Sequence, residues 1–522
     1  MSTIAPGRRL KRTIYPRIAG RTLLWLARRR MGRWMRALKN VEAAQMRHLL
    51  DFVRHSEHTV YGRIHHFDRI RTFDDYRRGV PISDYDALEP YFTRMREGEV
   101  NLVVPEFVQY WGNSSGSTNA HRNKFLPISE TQFRYQKGSG IDVLYRYLVN
   151  TNTSDFTDHF TLGLFPPPVM KKEGPVLVTN NPALMSARIP RLVQPMYLPS
   201  MAIRCIENYD EKLAKIGETY LDHDVVAVSG TTCWFSILFD KLLSAAKNAG
   251  REASTVGEIW PNLKVLLGGG VSATPYLPVI RDRVGRDVYV CDSYNATEGG
   301  IFATTDAPDV RGMLMIPDRG VFFEFVPLEE DGRPDALRVP LWQVETGQRY
   351  VILVTTPSGL FSYRLGDIVQ FPSIDPLRIE FAGRLSGNLS TTQELTTHIE
   401  IEESVRAAAD KQACKMVDFA AGATVGVNGT AKSQYIFFVE WIERPGDPDA
   451  FARDADAKLC ELNRVYREHR KNDVGILLPK VVSLPTGSVR RFMEETGKTS
   501  VQTKFPRIVQ EADRDRLLGY SG

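Results

Sequence analysis

The chain has 522 residues, more than one hydrophobic core usually serves, so at least two domains are expected. With 43% hydrophobic and 25% charged residues, its composition is that of a globular protein and excludes extensive disorder, collagen and a pure coiled coil. The net charge of +5 is unevenly distributed, because residues 1–40 hold twelve Lys and Arg and no Asp or Glu. The remaining chain carries 55 basic against 62 acidic side chains and offers no general attraction to nucleic acid.

Residues 1–40 form a basic N-terminal arm with one short apolar run, Leu23-Leu-Trp-Leu26. This run is far shorter than the ~20 residues of a membrane span, and a secretory signal would need a longer apolar stretch and a small-residue cleavage site. We favour a solvated basic helix packed on the body, and the alternative is a basic amphipathic helix that makes a peripheral membrane contact. No chemical motif lies in the arm, so deletion of residues 1–35 is expected to leave adenylation intact.

The cysteines are too scattered for a disulfide framework or a zinc site. Their number is odd, and no C-x-x-C pair occurs among Cys205, Cys233, Cys291, Cys414 and Cys460. A reducing cytoplasm is therefore the expected location.

The middle of the chain alternates between strands and helices. The predicted elements are a strand at Asp224–Ser229, a helix from about Thr232 to Asn248, a strand at Leu263–Leu267 running into Gly268-Gly269-Gly270, a short helix to Val284 and a strand at Asp287–Cys291. This order is typical of a parallel sheet covered by helices, so the fold class is α/β. Ligands of such sheets bind beyond the carboxyl ends of the strands.

The character of the chain changes after Gln370, where Phe371-Pro372 and Asp375-Pro376 interrupt it. A helix rich in Glu, Ala and Arg begins near His398. The segments that follow are predicted as strands near Lys415–Val425 and Gln434–Trp441, a helix near Pro448–Lys471 and a strand near Lys480–Leu484. With a hinge near Arg384, the predicted domains are the arm 1–40, a large domain 41–383 with parallel-rich sheets, and a smaller α+β domain 384–522.

A loop of small polar residues, Trp111-Gly-Asn-Ser-Ser-Gly-Ser-Thr118, follows the apolar stretch Val103–Tyr110 and precedes Lys124. Its backbone N–H groups and hydroxyls suit phosphate oxygens, and a nearby ammonium can neutralise their charge. The loop lacks the order of a P-loop NTPase, so on its own it is more often a plain turn.

Two further motifs carry carboxylates. Tyr294-Asn-Ala-Thr-Glu-Gly-Gly300 lies past the strand at 287–291, where Glu298 could hold Mg²⁺ against a nucleotide and Tyr294 could lie against a flat base. Tyr363-Arg-Leu-Gly-Asp367 places a carboxylate after a tight turn, suited to accepting two hydrogen bonds from ribose hydroxyls. Each motif alone could equally be a strand end capped by a turn.

In combination, these three motifs resemble those of the acyl-adenylate-forming superfamily. The chain is most similar to its auxin-responsive acyl acid amido synthetases, which conjugate jasmonate, auxin or benzoates to amino acids in plants and have bacterial relatives. Two more stretches share the likeness: Val80-Pro-Ile-Ser-Asp-Tyr85 leading to Gly98-Glu99, and Gln502-Thr-Lys-Phe-Pro-Arg507. The resemblance extends from about residue 42 to 510.

This resemblance implies a nucleotide site and its roles. The ATP-binding residues would be Ser114, Ser115, Gly116, Ser117, Thr118, Lys124, Gly269, Tyr294, Thr297, Glu298, Asp367, Arg384 and Lys504. Glu298 would hold Mg²⁺, and a mobile C-terminal domain would carry Lys504 to the α-phosphate, which makes these two the catalytic residues. The chain departs from the family at Gln393-Glu394-Leu395, where Gly-Glu-Lys is usual, so no lysine contact with ligand is implied there.

The function implied is that of an ATP- and Mg²⁺-dependent ligase that activates a carboxylic acid as acyl-AMP and transfers the acyl group to an amino acid or other amine. The acid, whether aryl, indolyl or aliphatic, is expected to bind among residues 165–239, including Trp234 and Phe235, although aromatic residues at a helix start are more often core. The alternatives are an acyl- or aryl-CoA ligase with the same adenylation site and a non-catalytic nucleotide-binding scaffold.

Overall fold

The computed structural model describes residues 17–114, 124–270, 273, 276–307, 310–333, 335–385, 387, 389–392, 394–496 and 505–521. Its helices are α1 Arg17–Lys39, α2 Val41–His55, α3 Val60–Ile64, α4 Phe73–Gly79, α5 Tyr85–Arg96, α6 Glu130–Thr151, α7 Asn181–Ala187, α8 Met201–Arg204, α9 Tyr209–Tyr220, α10 Cys233–Asn248, α11 Val256–Ile259, α12 Leu277–Val284, α13 His398–Lys411, α14 Pro448–Leu462, α15 Arg464–Arg470, α16 Ser488–Glu495 and α17 Glu511–Tyr520.

The strands are β1 Tyr110–Ser114, β2 Lys124–Ile128, β3 Phe160–Leu164, β4 Lys171–Glu173, β5 Val176–Thr179, β6 Tyr197–Leu198, β7 Val225–Gly230, β8 Val265–Leu267, β9 Tyr289–Cys291, β10 Ser293–Ala296, β11 Gly300–Thr304, β12 Met313–Met315, β13 Phe322–Pro327, β14 Val339–Pro340, β15 Arg349–Thr355, β16 Tyr363–Ile374, β17 Leu377–Arg384, β18 Lys415–Val425, β19 Ser433–Glu443 and β20 Ile476–Leu484. Within the described ranges they form four sheets.

A five-stranded parallel sheet, in the order β6-β3-β7-β8-β9, forms the centre of the large domain. The run Val225–Val228 in β7 is fully buried, as expected of a parallel strand covered on both faces. Helices α9, α10 and α12 pack against this sheet through one apolar cluster. The α/β class and the predicted order of strands and helices are confirmed, with element ends shifted by one or two residues.

The largest sheet is antiparallel and was not predicted from the sequence. Its eight strands follow the order β10-β11-β12-β17-β16-β15-β13-β14, and helices α2, α4 and α5 cover it over a large apolar core. The long hairpin of β16 and β17 brings Asp367 directly opposite Arg384. The second and third sequence motifs therefore lie on the same sheet.

The C-terminal segment forms a three-stranded sheet, β18-β19-β20, with helices on both faces. Successive residues of a strand point to opposite faces, so Phe437 and Val439 pack with α13 to α15, whereas Ile436 and Phe438 pack with α16 and α17. The helix α13 begins at His398 behind a capping box formed by Thr397 and Glu400. This α+β arrangement agrees with the elements predicted for residues 384–522.

The described part of the basic arm is the helix α1, which packs against α6. Trp34 is fully buried and its Nε1 donates to the carbonyl of Met315. Arg30 forms buried ion pairs at 2.6 Å to Asp142 and 2.7 Å to Asp318. The helix packs on the body as expected, through an apolar face between its arginines. That deletion of residues 1–35 leaves adenylation intact stays a prediction. No described helix has the length and apolar character needed to cross a bilayer.

Candidate active site

One large cleft of about 1760 Å³ lies at the carboxyl edge of the parallel sheet. Ser229 and Gly230 end β7 at its wall, Gly268 to Gly270 follow β8, and Ser293 follows β9. The opposite wall comes from the C-terminal segment and includes Glu394, Glu468 and His469. The cleft therefore lies where a parallel sheet places its ligands and is closed by the second domain.

The turn Thr297-Glu298-Gly299 joins β10 to β11 on the cleft wall. Two carboxamides donate to the carbonyl of Thr297, Gln136 Nε2 at 3.2 Å and Asn181 Nδ2 at 3.1 Å. Gln132 Nε2 donates to the carbonyl of Gly299 at 3.1 Å. Three side chains from α6 and α7 thus fix the backbone on either side of Glu298.

These three carboxamides were missed by the sequence analysis. Their side-chain oxygens are buried and have no hydrogen-bond partner within the described ranges. Gln132 and Gln136 are one helical turn apart, so their only signal was a pair of amides on the buried face of α6. That signal does not by itself indicate a site.

Glu298 faces the cleft, and burial raises the pKa of its carboxyl. The ammonium of Lys124 opposes this shift, whereas the charge of Asp367 adds to it. Burial in turn lowers the pKa of Lys124, whose Nζ lies 5.8 Å from the centre of the Tyr85 ring. The site therefore holds two carboxylates whose mutual repulsion a bound cation would relieve.

The residues around Glu298 fit a magnesium ion. Mg²⁺ prefers oxygen ligands and is usually held by one or two carboxylates plus phosphates and water. Glu298 supplies the carboxylate, and the unpaired oxygens of Gln136 and Asn181 lie beside the same turn. Among the described residues, no cluster of three or more His, Cys, Asp and Glu could hold a metal by itself.

Asp367 lies on the cleft wall with its carboxylate held from two sides. Tyr294 Oη donates to Oδ2 at 2.8 Å, and Arg384 Nε lies 2.8 Å from Oδ1. Burial raises the pKa of Asp367, and the charge of Arg384 opposes that shift. The structure thus brings together Asp367, Arg384 and Tyr294, which the sequence placed in three separate segments.

The expectation that Tyr294 lies against a base is wrong. Its side chain is 7% exposed, belongs to the core and packs at right angles to Phe302 with 5.3 Å between ring centres. The phenol lies behind Asp367, and burial raises its pKa well above the usual value. The residue orients a carboxylate and does not line the cleft.

The first motif is described only at its two ends. Ser114 ends β1 and pairs in register with Lys124 at the start of β2. The predicted phosphate-binding residues Ser115, Gly116, Ser117 and Thr118 lie outside the described residues, as does Lys504. Their assigned roles stay predictions.

The stretch Val80–Tyr85 meets the third motif directly. Ser83 N donates to the carbonyl of Ser362 at 3.0 Å, and Arg364 N donates to the carbonyl of Ser83 at 2.8 Å. Ser83 Oγ also donates to the carbonyl of Phe361. The family-like stretch therefore supports the strand that carries Asp367.

Gly269 lies on the cleft wall where no side chain fits. A Cβ at this position would lie 2.4 Å from Ser293 Oγ and 2.6 Å from Asn295 Nδ2. The backbone of Gly269 therefore packs closely against β10, which explains why this position requires glycine. Its predicted contact with nucleotide is consistent with this position.

The region expected to bind the acid is partly on the cleft. Phe165 and Trp234 line it, whereas Phe235 is fully buried in the core below, so its predicted role is wrong. Tyr209 packs on Trp234 with 4.3 Å between ring centres, and His469 meets the same indole at 4.8 Å. An aromatic lobe is thus shared between the large domain and α15.

Glu394, in the stretch that departs from the family pattern, is fully buried. It accepts from the backbone N–H groups of Thr391 at 2.7 Å and Thr392 at 2.6 Å, and from Tyr435 Oη at 2.7 Å. The next residue, Leu395, has a φ of +46°, and Gln393 lies outside the described residues. Glu394 therefore fixes the segment after the hinge strand, and no cation stands where the family has lysine.

Three models of the GH3 family match this chain: its N-terminal domain at residues 30–162, its central domain at 314–384 and its C-terminal domain at 399–513. Indole-3-acetic acid-amido synthetase GH3.8 of Oryza sativa subsp. indica is 24% identical over 90% of this chain and 88% of its own length. Jasmonoyl-L-amino acid synthetase JAR4 of Nicotiana attenuata is 29% identical over 39% of this chain and 36% of its own length.

Solved structures share the fold. The acyl acid amido synthetase AtGH3.15 in complex with 2,4-DB superposes with a TM-score of 0.57 at 16% identity, covering 97% of both chains. A 2-hydroxyisobutyryl-CoA ligase bound to 2-HIB-AMP and CoA has a TM-score of 0.52 at 12% identity, covering 99% of this chain and 96% of its own.

The fold is therefore the one shared by this amido synthetase and this CoA ligase. By its three matching domain models, the chain belongs to the GH3 family.

Proposed function

We propose that the protein is an acyl acid amido synthetase that uses ATP to join a carboxylic acid to an amino acid. The observation that carries this proposal is the convergence of Lys124, Glu298, Asp367 and Arg384 on one cleft in a chain of the GH3 family. The amino-acid-conjugating relatives and the shared fold support the same reaction class.

The reaction has two steps. The carboxylate oxygen of the acid attacks the α-phosphorus of ATP, and pyrophosphate leaves with the electrons of the broken anhydride bond. The amine nitrogen then attacks the acyl carbon, AMP leaves and the nitrogen loses a proton. Adenylation is needed because a carboxylate is a poor electrophile, whereas AMP is a good leaving group.

The described side chains suit the first step. Asp367, fixed by Tyr294 and Arg384, would accept from the ribose hydroxyls, and Lys124 would lie near the phosphates, close to the charge of Glu298. Mg²⁺ held by Glu298 would neutralise charge on the phosphates as pyrophosphate leaves. The mobile cation assigned to Lys504 would stabilise charge at the α-phosphorus during adenylation and withdraw before the amine enters.

The walls of the cleft favour an acid with a flat apolar group. Phe165, Tyr209 and Trp234 line the cleft, and the rings of Tyr209 and Trp234 contact each other at an angle of 45°. Aromatic walls recognise flat rings by offset or edge-to-face packing, so aryl and indolyl acids are favoured over short aliphatic ones.

A reducing cytoplasm suits a chain whose described cysteine side chains are free.

A pyrophosphate-release screen tests the proposal. Aryl, indolyl and aliphatic acids are each supplied with ATP and Mg²⁺, with and without the twenty amino acids, and products are identified by mass. We expect an aryl or indolyl acid to give pyrophosphate, and a particular amino acid to give the amide. The Glu298→Gln variant serves as the control for contaminating ligases.

Two outcomes would contradict the proposal. Product formation only with coenzyme A would identify an acyl-CoA ligase with the same first step. Nucleotide binding without pyrophosphate release from any acid would identify a non-catalytic protein.

A further inference from the structure

The outward face of α1 is a basic surface with exposed apolar side chains. Because an α-helix repeats every 3.6 residues, Leu24, Ala27, Met31 and Trp34 share the face packed on the body. Six basic residues outside that face are exposed: Arg29, Arg33 and Arg36 lie opposite it, and Arg21, Arg28 and Lys39 lie along its edges. We call the exposed surface that these six residues form the outer face of α1.

The basic residues of the outer face have no carboxylate partners within the described part of the chain. Arg28 donates to Asn152 Oδ1 at 2.7 Å, Arg36 donates to the carbonyl of Gly32, and Arg29 lies 4.8 Å from the Trp25 ring. In contrast, the inward-facing Arg30 is paired twice. The charge of the outer face is therefore available to an external anion.

Apolar side chains stand among these charges. Trp25 is 53% exposed and Leu26 is 42% exposed. Leu26 also lines a groove of about 460 Å³ together with Arg29, Arg33 and Arg36. A groove with three guanidinium groups and an apolar wall suits a phosphate attached to an apolar chain.

We propose that the outer face of α1 binds the surface of an anionic phospholipid membrane. Arginines pair with lipid phosphates, while Trp and Leu insert at the boundary between headgroups and acyl chains. The buried ion pairs of Arg30 and the buried Trp34 hold the helix flat against the body, so its outer face can meet a planar surface.

The charge distribution favours this occupant over nucleic acid. Residues 1–16 add four Lys and Arg and no Asp or Glu, whereas the chain beyond residue 40 has a net charge of −7. Attraction is therefore confined to the arm, and contact with a wrapped or extended polyanion would be opposed elsewhere. The exposed Trp25 and Leu26 contribute only where an apolar phase is present.

Vesicle co-sedimentation of the full chain tests the proposal. Vesicles of phosphatidylcholine alone are compared with vesicles that also contain phosphatidylglycerol. We expect binding to the anionic vesicles only, reduced between about 0.1 M and 1 M salt as the Debye length shrinks. Binding of equal strength to both vesicles, or to neither, would overturn it.

Two triple variants test whether vesicle binding depends on the arginines of the outer face or on the total charge of the protein. The triple change Arg29→Gln, Arg33→Gln and Arg36→Gln is expected to weaken vesicle binding on the order of 100-fold. The matched control Arg406→Gln, Arg490→Gln and Arg491→Gln removes the same charge from exposed helices of the C-terminal segment and should leave binding unchanged. All six side chains are exposed, so the fold is retained and thermal unfolding verifies this.

Trp25→Ala tests the apolar contribution without a change of charge. It should weaken vesicle binding while leaving any weak binding to duplex DNA unaltered. If DNA binds as tightly as anionic vesicles and Trp25→Ala affects neither, the face is a general polyanion site and the membrane proposal fails. Pyrophosphate release without vesicles should be the same in all variants. A failure of the membrane proposal can therefore be distinguished from a failure of the proposed enzymatic function.

Discussion

Arg384 Nε lies 2.8 Å from Asp367 Oδ1, and the two residues are direct cross-strand partners in β16 and β17. Asp367 is the predicted ribose ligand, and Arg384 ends the strand that leads to the proposed hinge. The ion pair therefore joins the nucleotide site to the start of the C-terminal segment. Because Asp367 is only 4% exposed, its orientation is set by Arg384 and Tyr294 before any nucleotide binds.

Asp367→Ala should raise the KM for ATP about 10- to 100-fold, because hydrogen bonds to a charged group are each worth about 1.5–3 kcal/mol. The KM for the acid should change little, since the proposed ribose contact is remote from the acyl group. Tyr294→Phe is the matched control: it removes the hydroxyl behind the carboxylate and leaves the cleft surface intact, so its effect should be much smaller. Equal ATP affinity in Asp367→Ala would remove the residue from the ribose site.

Glu298→Gln should lower ATP–pyrophosphate exchange about 10²- to 10³-fold, the usual effect of losing one electrostatic contact to the transition state. Stability should be retained, because burial already disfavours the charged form of Glu298. The control Glu130→Gln changes an exposed carboxylate paired with Arg188 and should leave exchange unaltered. Normal exchange in the Glu298 variant would exclude it as the metal ligand.

Lys504→Ala should affect the two half-reactions differently. Acyl-AMP formation should fall about 10²- to 10³-fold, because the proposed cation is missing when charge develops at the α-phosphorus. Chemically prepared acyl-AMP should still be consumed when the correct amino acid is added. Undiminished adenylation would show that Lys504 is not the mobile cation, and consumption only with coenzyme A would favour the thioester alternative.

His469 should make the protein sensitive to acid. Burial against Trp234 lowers the pKa of His469 from 6.5 to about 4, although the charge of Glu394 opposes the shift. On acidification the unfolded chain therefore takes up the proton before the folded protein does. The contribution of His469 to the free energy of unfolding is fully present above pH 6.5 and is lost as the pH falls toward 4. Between pH ~7 and ~5 the loss should be about 2 kcal/mol.

Thermal unfolding of the wild type and of His469→Gln at these two pH values measures that effect. The variant should be less stable at neutral pH and should lose less stability on acidification. An identical acid response in both proteins would show that another group titrates.

Arg30→Met should destabilise the protein by about 3 kcal/mol or more, because it leaves the buried carboxylate of Asp142 without one of its two arginines. Arg33→Met, on the outer face of the same helix, is the matched control and should change stability by less than about 0.5 kcal/mol. Denaturant unfolding compares the two. Similar stabilities of the two variants would show that the buried ion pairs of Arg30 contribute little to the fold.

The α/β class, the order of elements in the parallel sheet and the three motifs could be predicted from the amino-acid sequence alone. They follow from local signals: a short β-branched run such as Val225–Val228 favours a buried strand, and glycine-rich segments indicate turns. Glu298 and Asp367 were predicted as site residues because the three motifs in combination resemble those of a known family, whereas neither motif was decisive alone. The alternation of strands and helices in the C-terminal segment was also predicted from the sequence.

Which side chains share a surface could be seen only in the folded chain. The ring of Tyr294 is buried behind Asp367, and the carboxamides of Gln136 and Asn181 hold the turn at Glu298, because β10, α6 and α7 meet only in the folded chain. The antiparallel pairing that sets Asp367 against Arg384 depends on register, which local sequence does not specify. Contacts between residues far apart in sequence form through packing, so no local pattern could encode them.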